Sequence, residues 1–309
     1  MRNLAFTLLG LIMAIPTWAS NPDTSLDSTT TEESSDFSIS ILTTALAETF
    51  PEAMIVAGGD FFKYRQLSHS AVLIEHPQGN LLYDTGLGRT IAESFEQNNW
   101  FHKATMGYIL LTPAIDQLAA ENMSERDLLA IIPSHLHWDH IGGLPDFPNT
   151  PVWVSNKVAS LKEAVDPDHA PAYLTGLISG KEQWKSIEFN EKEYQGFSRS
   201  KDIFNDGRLI LVDLEGHTPG QVGLFVNLDS GKRYFLIGDT TWVQRGYIDN
   251  TPRPKIVDWF NPVDWKIEQN QQVVKKVHDI YMAQPDMMII PAHDEVAAKL
   301  IPHFPKRGY

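Results

Sequence analysis

No cysteine occurs in the 309 residues. Disulfide cross-links, thiolate zinc sites, cysteine nucleophiles and cysteine-anchored lipid tethers are therefore excluded, and any metal must be held by imidazole and carboxylate. Positive charge is scarce as well: 25 Lys and Arg stand against 39 Asp and Glu, a formal net charge of −14. That balance repels a polyphosphate backbone, so no nucleic-acid partner is expected. Long hydrophobic runs are also lacking. The apolar stretch Leu4 to Ile15 covers 12 residues, well short of the ~20 that a membrane-spanning helix needs. The 20 Gly and 19 Pro follow no period, and 42% of residues are hydrophobic against 21% charged, which excludes collagen, coiled coil and wholesale disorder. The length suits one large or two small domains with a real core.

The N-terminus has the layout of an export signal. Arg2 is a short positive region, Leu4 to Ile15 an apolar core, and Thr17-Trp18-Ala19 a small-residue cleavage site. Asn21 to Asp36 is a Ser/Thr/Asp/Glu run too polar to bury a core. The chain therefore divides into a signal peptide (1–19), a disordered spacer and lead-in (20–50) and one domain (51–309), with the mature protein exported to the periplasm or medium and free of the membrane once the signal is cleaved.

From about Tyr64 short apolar runs alternate with turns. Ser70–Glu75, Leu81–Tyr83, Leu128–Pro133, Val152–Val154, Leu209–Val212, Val222–Asn227, Tyr234–Ile237 and Met287–Pro291 have the length and composition of strands. Helices are expected over Pro113–Asn122, Asn156–Val165 and Asp264–Ala283, the last with Asp264 as N-cap and Pro285 as stop. Strands and helices alternating in both halves imply a layered α/β domain. Two stretches, Asp166–Asp206 and Thr240–Asn261, fit no element and are rich in aromatics. Irregular segments of that length serve as lids or loops, with aromatics that wall a substrate or pack the loop down.

The densest chemical signal is Ser134-His135-Leu136-His137-Trp138-Asp139-His140-Ile141-Gly142-Gly143, directly after an apolar strand. In extended backbone, residues two apart share a side, so His135 and His137 can face one point. Gly142 and Gly143 would allow a tight return. Three further donors also follow apolar strands: His217 in Gly216-His217-Thr218-Pro219-Gly220, Asp239 in Ile237-Gly238-Asp239-Thr240, and His293 in Pro291-Ala292-His293-Asp294. Five imidazoles and two carboxylates suffice for two ions sharing one carboxylate.

With these motifs complete and in order, the chain resembles the metallo-β-lactamase superfamily over roughly residues 64–301. The resemblance implies a four-layer αββα sandwich with metals at one edge. It implies His135, His137 and His217 as ligands of a first ion, Asp139, His140 and His293 as ligands of a second, and Asp239 as the bridge. Asp84, in Asp84-Thr85-Gly86, matches an early Asp that supports such sites from behind the ligands, although a strand-end Asp also serves simple turns. Two divalent cations would make the protein a hydrolase, with a bridging hydroxide attacking a carbonyl or phosphoryl group. Asp139 would be the catalytic residue, handing a proton to the leaving group. Zinc is the first choice of metal, and Mn, Fe and Co also suit the donors.

Within the superfamily, Asp239 and the missing cysteine argue against the broad-spectrum lactamases. Only 16 residues follow His293, too few for the extension of glyoxalase II, and the acidic charge disfavours nucleases of the ribonuclease Z kind. His137 stands where flavodiiron proteins carry Glu. The motifs resemble the N-acyl-homoserine lactonases most and the exported organophosphate hydrolases next. Such lactonases often carry Tyr three residues after the bridging Asp, where this chain has Trp242. An indole donates a hydrogen bond and exchanges no proton, so a general lactone or ester substrate is expected, with Trp138 and Trp242 bordering it. The alternatives are a phosphotriester or phosphodiester hydrolase on the same two metals, and, in another class, a single-iron enzyme or a metal-binding protein without catalysis. Oligomeric state is not readable.

Overall fold

The computed structural model describes residues 36–98, 100–159, 177, 184–260 and 263–309. The expected signal peptide, nearly all of the spacer, and residues 160–165 of the expected helix from Asn156 lie outside the described residues.

Twelve strands among the described residues form two sheets: β1 (Ser38–Pro51), β2 (Tyr64–Glu75), β3 (Asn80–Tyr83), β4 (Tyr108–Leu110), β5 (Leu128–Ile132), β6 (Val152–Ser155), β7 (Trp184–Ile187), β8 (Ser200–Asp202), β9 (Leu209–Asp213), β10 (Val222–Asn227), β11 (Arg233–Leu236) and β12 (Met287–Ile290). The first sheet runs β4-β1-β2-β3-β5-β6-β7 and the second β12-β11-β10-β9-β8.

The strand sequences explain the layering. Successive side chains point to opposite faces, and here both faces are buried. Ile39, Ile41, Val72, Ile74, Leu81 and Tyr83 share one cluster with Leu209, Leu211, Leu224 and Leu236 of the second sheet, so that cluster is the layer between the sheets. Their neighbours Leu42, Leu73, Leu82 and Ile131 face the other way, onto Leu118 and Ile141 of the helices Ala114–Ala120 and Trp138–Ile141. On the far side Ile210, Val212, Phe225 and Phe235 pack on Val273, Val277 and Ile280 of the long helix Ile267–Ala283. The result is helix, sheet, sheet, helix: an αββα sandwich.

Four sequence expectations are corrected. The domain begins before residue 51, because β1 pairs with both β2 and β4. Its Ser and Thr residues look solvent-facing in sequence, yet Ser38 and Ser40 are buried and satisfied by Glu75 Oε2 and the Lys306 carbonyl, each at 2.9 Å. The stretch Asp166–Asp206 contains β7 and β8 in its described part, and Phe197 and Phe204 anchor it to the cores. Thr240–Asn261 contains the helices Gln244–Ile248 and Lys255–Phe260. Finally, the long helix starts after Lys266, and Asp264 does not cap it.

β3 and β5 are parallel, as are β11 and β12, and β9 runs antiparallel to β10, which is itself antiparallel to β11. The C-terminal ends of β3 and β5, and of β9, β11 and β12, therefore each face one way within their sheet. Two bonds join the sheets there: Tyr83 Oη donates to the Val222 carbonyl (2.8 Å) and Val222 N to the Ser134 carbonyl (2.9 Å).

An ionic knot around the buried Glu52 and Arg65 braces the same end. Glu52 accepts from Lys63 Nζ (2.6 Å) and Arg245 Nη1 (3.0 Å). Burial would raise its carboxyl pKa, but Lys63, the Asp60 amide and Arg245 outweigh that and hold it at about 2. Arg65 Nη2 reaches Asp294 Oδ1 (3.0 Å). Asp294 also accepts from the amides of Gln244, Val296 and Ala297, which pins the loop carrying His293.

Candidate metal centre

The donors come from the strand ends. β5 leads through Pro133 and a bend at Ser134 and His135 to the extended His137 (ψ 149°), after which the chain turns into the short helix Trp138–Ile141. His135 and His137 share a side, with His135 Nε2 2.9 Å from His137 Nδ1, while Asp139 and His140 ride on the helical turn. Gly142 and Gly143 have right-handed backbone (φ −58° and −86°). Close packing demands them, since a Cβ on Gly142 would lie 2.8 Å from the Trp138 carbonyl.

The ring nitrogens are sorted by their outer partners. His140 Nδ1 lies 2.9 Å from Asp84 Oδ2, His217 Nδ1 2.9 Å from Asp264 Oδ1, and His293 Nδ1 2.9 Å from the Ser68 carbonyl. His135 Nδ1 is 3.0 Å from Ser134 Oγ. A proton fixed on Nδ1 leaves the Nε2 lone pair directed inward, the arrangement that metal-bound imidazoles show. His217 Nε2 reaches His137 Nδ1 at 3.1 Å, and His140 Nε2 reaches His293 Nε2 at 3.2 Å.

Asp239 lies between the two sets. Its Oδ1 is 3.3 Å from His140 Nε2 and 3.1 Å from His293 Nε2, and its Oδ2 is 3.7 Å from His217 Nε2. Asp139 Oδ2 is 3.3 Å from His293 Nε2. All seven sequence-selected donors therefore converge. Asp84 lies behind His140 and also accepts from Ser134 N (2.6 Å) and Ser134 Oγ (2.9 Å). It adopts φ +57°, a costly backbone for a non-glycine residue that persists where the surroundings enforce it.

The two tryptophans are placed differently from each other. Trp138 does not border open space: it is buried in the core, with its ring 5.0 Å from Phe95 and 6.0 Å from Tyr108. The half-buried Trp242 lines a recess beside the site. Its indole N–H is engaged, donating to Asp239 Oδ2 at 3.0 Å.

Three residues escaped sequence reasoning. Asp264 holds His217 and accepts from Arg253 Nε (2.9 Å). Arg253 stands over the Trp242 ring at 4.3 Å and also donates to the Asp239 carbonyl. His69, from β2, lies 3.5 Å from Asp139. The Asp264 signal was visible but reads as a helix cap, whereas nothing local distinguishes a lone Arg or a strand His.

The donor chemistry fits divalent cations. Three buried carboxylates, Asp84, Asp239 and Asp264, and the partly buried Asp139 gather in this cluster, and Arg253 pairs with Asp264. Burial pushes His135 and His137 well below their ordinary pKa, with neighbouring imidazoles reinforcing it, so they stand as neutral ligands. Burial opposes charge on His140 too, but Asp84, Asp239 and Asp139 outweigh it and hold the ring well above its ordinary value. Neutral imidazoles beside clustered carboxylates suit a divalent cation, whose binding would displace the extra proton from His140. Three donor groups emerge: His135, His137 and His217; His135, His140 and Asp239; and His69, Asp139 and His293.

Residues 64–272 match the family model described as the metallo-beta-lactamase superfamily, and the chain belongs to that superfamily. It is a metal-dependent hydrolase with lactonases among its relatives. It is 26% identical over 239 residues to a probable metallo-hydrolase of Mycobacterium tuberculosis, covering 72% of this chain and 73% of the relative. It is 27% identical over 187 residues to the N-acyl homoserine lactonase AiiA of Bacillus thuringiensis subsp. kurstaki, covering 58% and 66%. In three dimensions it matches an N-acyl homoserine lactone hydrolase with the product N-hexanoyl-L-homoserine at its catalytic metal centre. That match has a TM-score of 0.67 at 20% identity and covers 88% of this chain and 98% of the other.

Proposed function

We propose that the protein is an exported lactonase or esterase that works with two divalent ions, zinc being the natural pair. The observation that carries the two-ion reading is the reach of Asp239: one carboxylate oxygen faces His140 and His293 and the other faces His217. A carboxylate so placed serves two cations at once. When bound, such a pair supplies an activated water at neutral pH and polarises a carbonyl oxygen. His135, His137 and His217 would hold one ion, and Asp139, His140 and His293 the other.

The chain's own residues do the rest. The Trp242 N–H and the Arg253 stack orient Asp239, and Asp264 orients His217. Asp139 is the centre's most accessible carboxylate, with its side chain 16% exposed against 4% for Asp239. It is therefore the group placed to take the proton of the attacking water and return it to the departing alkoxide. The lactonase relatives favour a cyclic or open ester over a phosphate ester.

A substrate panel on metal-analysed protein tests this reading. Lactones of graded acyl length, aryl esters, phosphotriesters, phosphodiesters and β-lactams should give turnover on lactones or esters. kcat/KM should rise up to about fourfold per methylene, from ~0.8 kcal/mol of burial each, for as long as the acyl chain leaves water. Turnover of phosphotriesters with none on any lactone or ester would reject the carbonyl substrate. N-terminal sequencing of the same exported preparation should begin near Ser20, and an intact Met1 on protein from the cytosol would reject export.

A further inference from the structure

His69 is a sixth imidazole at this centre, and none of the strand-end motifs contains it. β2 runs antiparallel to β3, pairing Val72 with Tyr83, so residues of β2 before Val72 continue past the end of β3 toward the site. His69 is 6% exposed. Its ring meets His293 edge-on, with centroids 5.1 Å apart. Its Nδ1 is buried, faces Asp139 Oδ2 at 3.5 Å and makes no hydrogen bond. A polar atom buried without a partner costs roughly 1–3 kcal/mol, and packing alone gives no reason to keep one here.

We propose that His69 Nδ1 is an additional protein ligand of the second ion, completing a group with Asp139 and His293. The donor atoms of the three lie within 4.8 Å of one another, and Asp139 Oδ2 stands 3.5 Å from His69 Nδ1 and 3.3 Å from His293 Nε2. His293 is held from outside by the Ser68 carbonyl, one residue before His69, so the same stretch of β2 serves both rings. The inference rests on the two-ion reading and deepens it. With His69 the second ion has three imidazoles among its donors, which favours zinc, iron or cobalt there over manganese or magnesium.

The test counts zinc. Wild type, His69→Ala, His293→Ala and Asp239→Ala are loaded with zinc, dialysed against graded chelator and analysed by mass spectrometry for zinc per chain. His69→Ala is expected to release one zinc at about 10- to 100-fold lower chelator than wild type, the scale or more of a lost metal-site partner, and to keep the other at the wild-type midpoint. Two zincs held at wild-type midpoints in His69→Ala, while His293→Ala loses one, would overturn the assignment and leave the two-ion reading standing. Full retention in His293→Ala and Asp239→Ala as well would overturn that reading and this inference with it. Because loss of a buried ring can unfold the chain, long-range 1H–15N spectra of the wild-type protein give an independent reading. On zinc loading, His69 Nδ1 should move to the position of a metal-bound nitrogen, and an Nδ1 that stays protonated in the zinc form would overturn the proposal.

Discussion

Asp239→Ala is expected to lose metal and activity together, with a fall in kcat/KM of about 10³-fold or more. The substitution removes the one carboxylate that faces both donor sets. It also leaves the Trp242 indole N–H without its acceptor. A divalent ion contributes several kcal/mol of charge stabilisation, and each ~1.4 kcal/mol lost is a factor of ten in rate. The change takes negative charge out of a cluster whose imidazoles His140 and His293 are held above their ordinary pKa by carboxylates, against the effect of burial. Those two rings should therefore become neutral more readily in the variant, and the fold, supported by three separate apolar layers, should persist. Zinc per chain and kcat/KM measured on one preparation check this. Two tightly held ions with wild-type turnover would sink the bridging role.

Asp139→Asn separates rate from assembly. The amide keeps an oxygen that can approach a metal but loses the ability to carry a proton, and the helical turn Trp138–Ile141 does not depend on the charge. The fold and most of the metal should remain while kcat falls by roughly 10²-fold or more, the usual scale of lost general acid–base catalysis. If the residue serves only as a ligand, metal content falls instead and restoring zinc restores kcat. A near-normal kcat with a fully loaded site would leave Asp139 a spectator.

Much of this architecture can be read locally. Strands such as Val222–Asn227 and Leu209–Asp213 are buried on both faces, so they are written as unbroken apolar runs. Where burial is shared with hydroxyls the pattern fails. β1 alternates Ser and Thr with Ile and Leu and passes for a spacer, because Ser38 and Ser40 find partners 37 and 266 residues away. β7 and β8 are short and exposed enough to lack a clear period.

By itself the sequence determined the seven converging donors and the absence of any thiol among them, because each donor follows an apolar strand, and strand ends that face one way deliver their next residues to one rim. Only the tertiary structure decided how those donors are held. His217 depends on Asp264, 47 residues on, His140 on Asp84, 56 residues back, and His293 on Ser68, 225 residues away. It also placed Trp138 in the core, Trp242 against the bridging carboxylate and His69 beside Asp139. A ligand motif is local because one loop must present several donors, but the hydrogen bond that fixes a ring comes from whichever element packs behind it, and that neighbour is chosen by the fold.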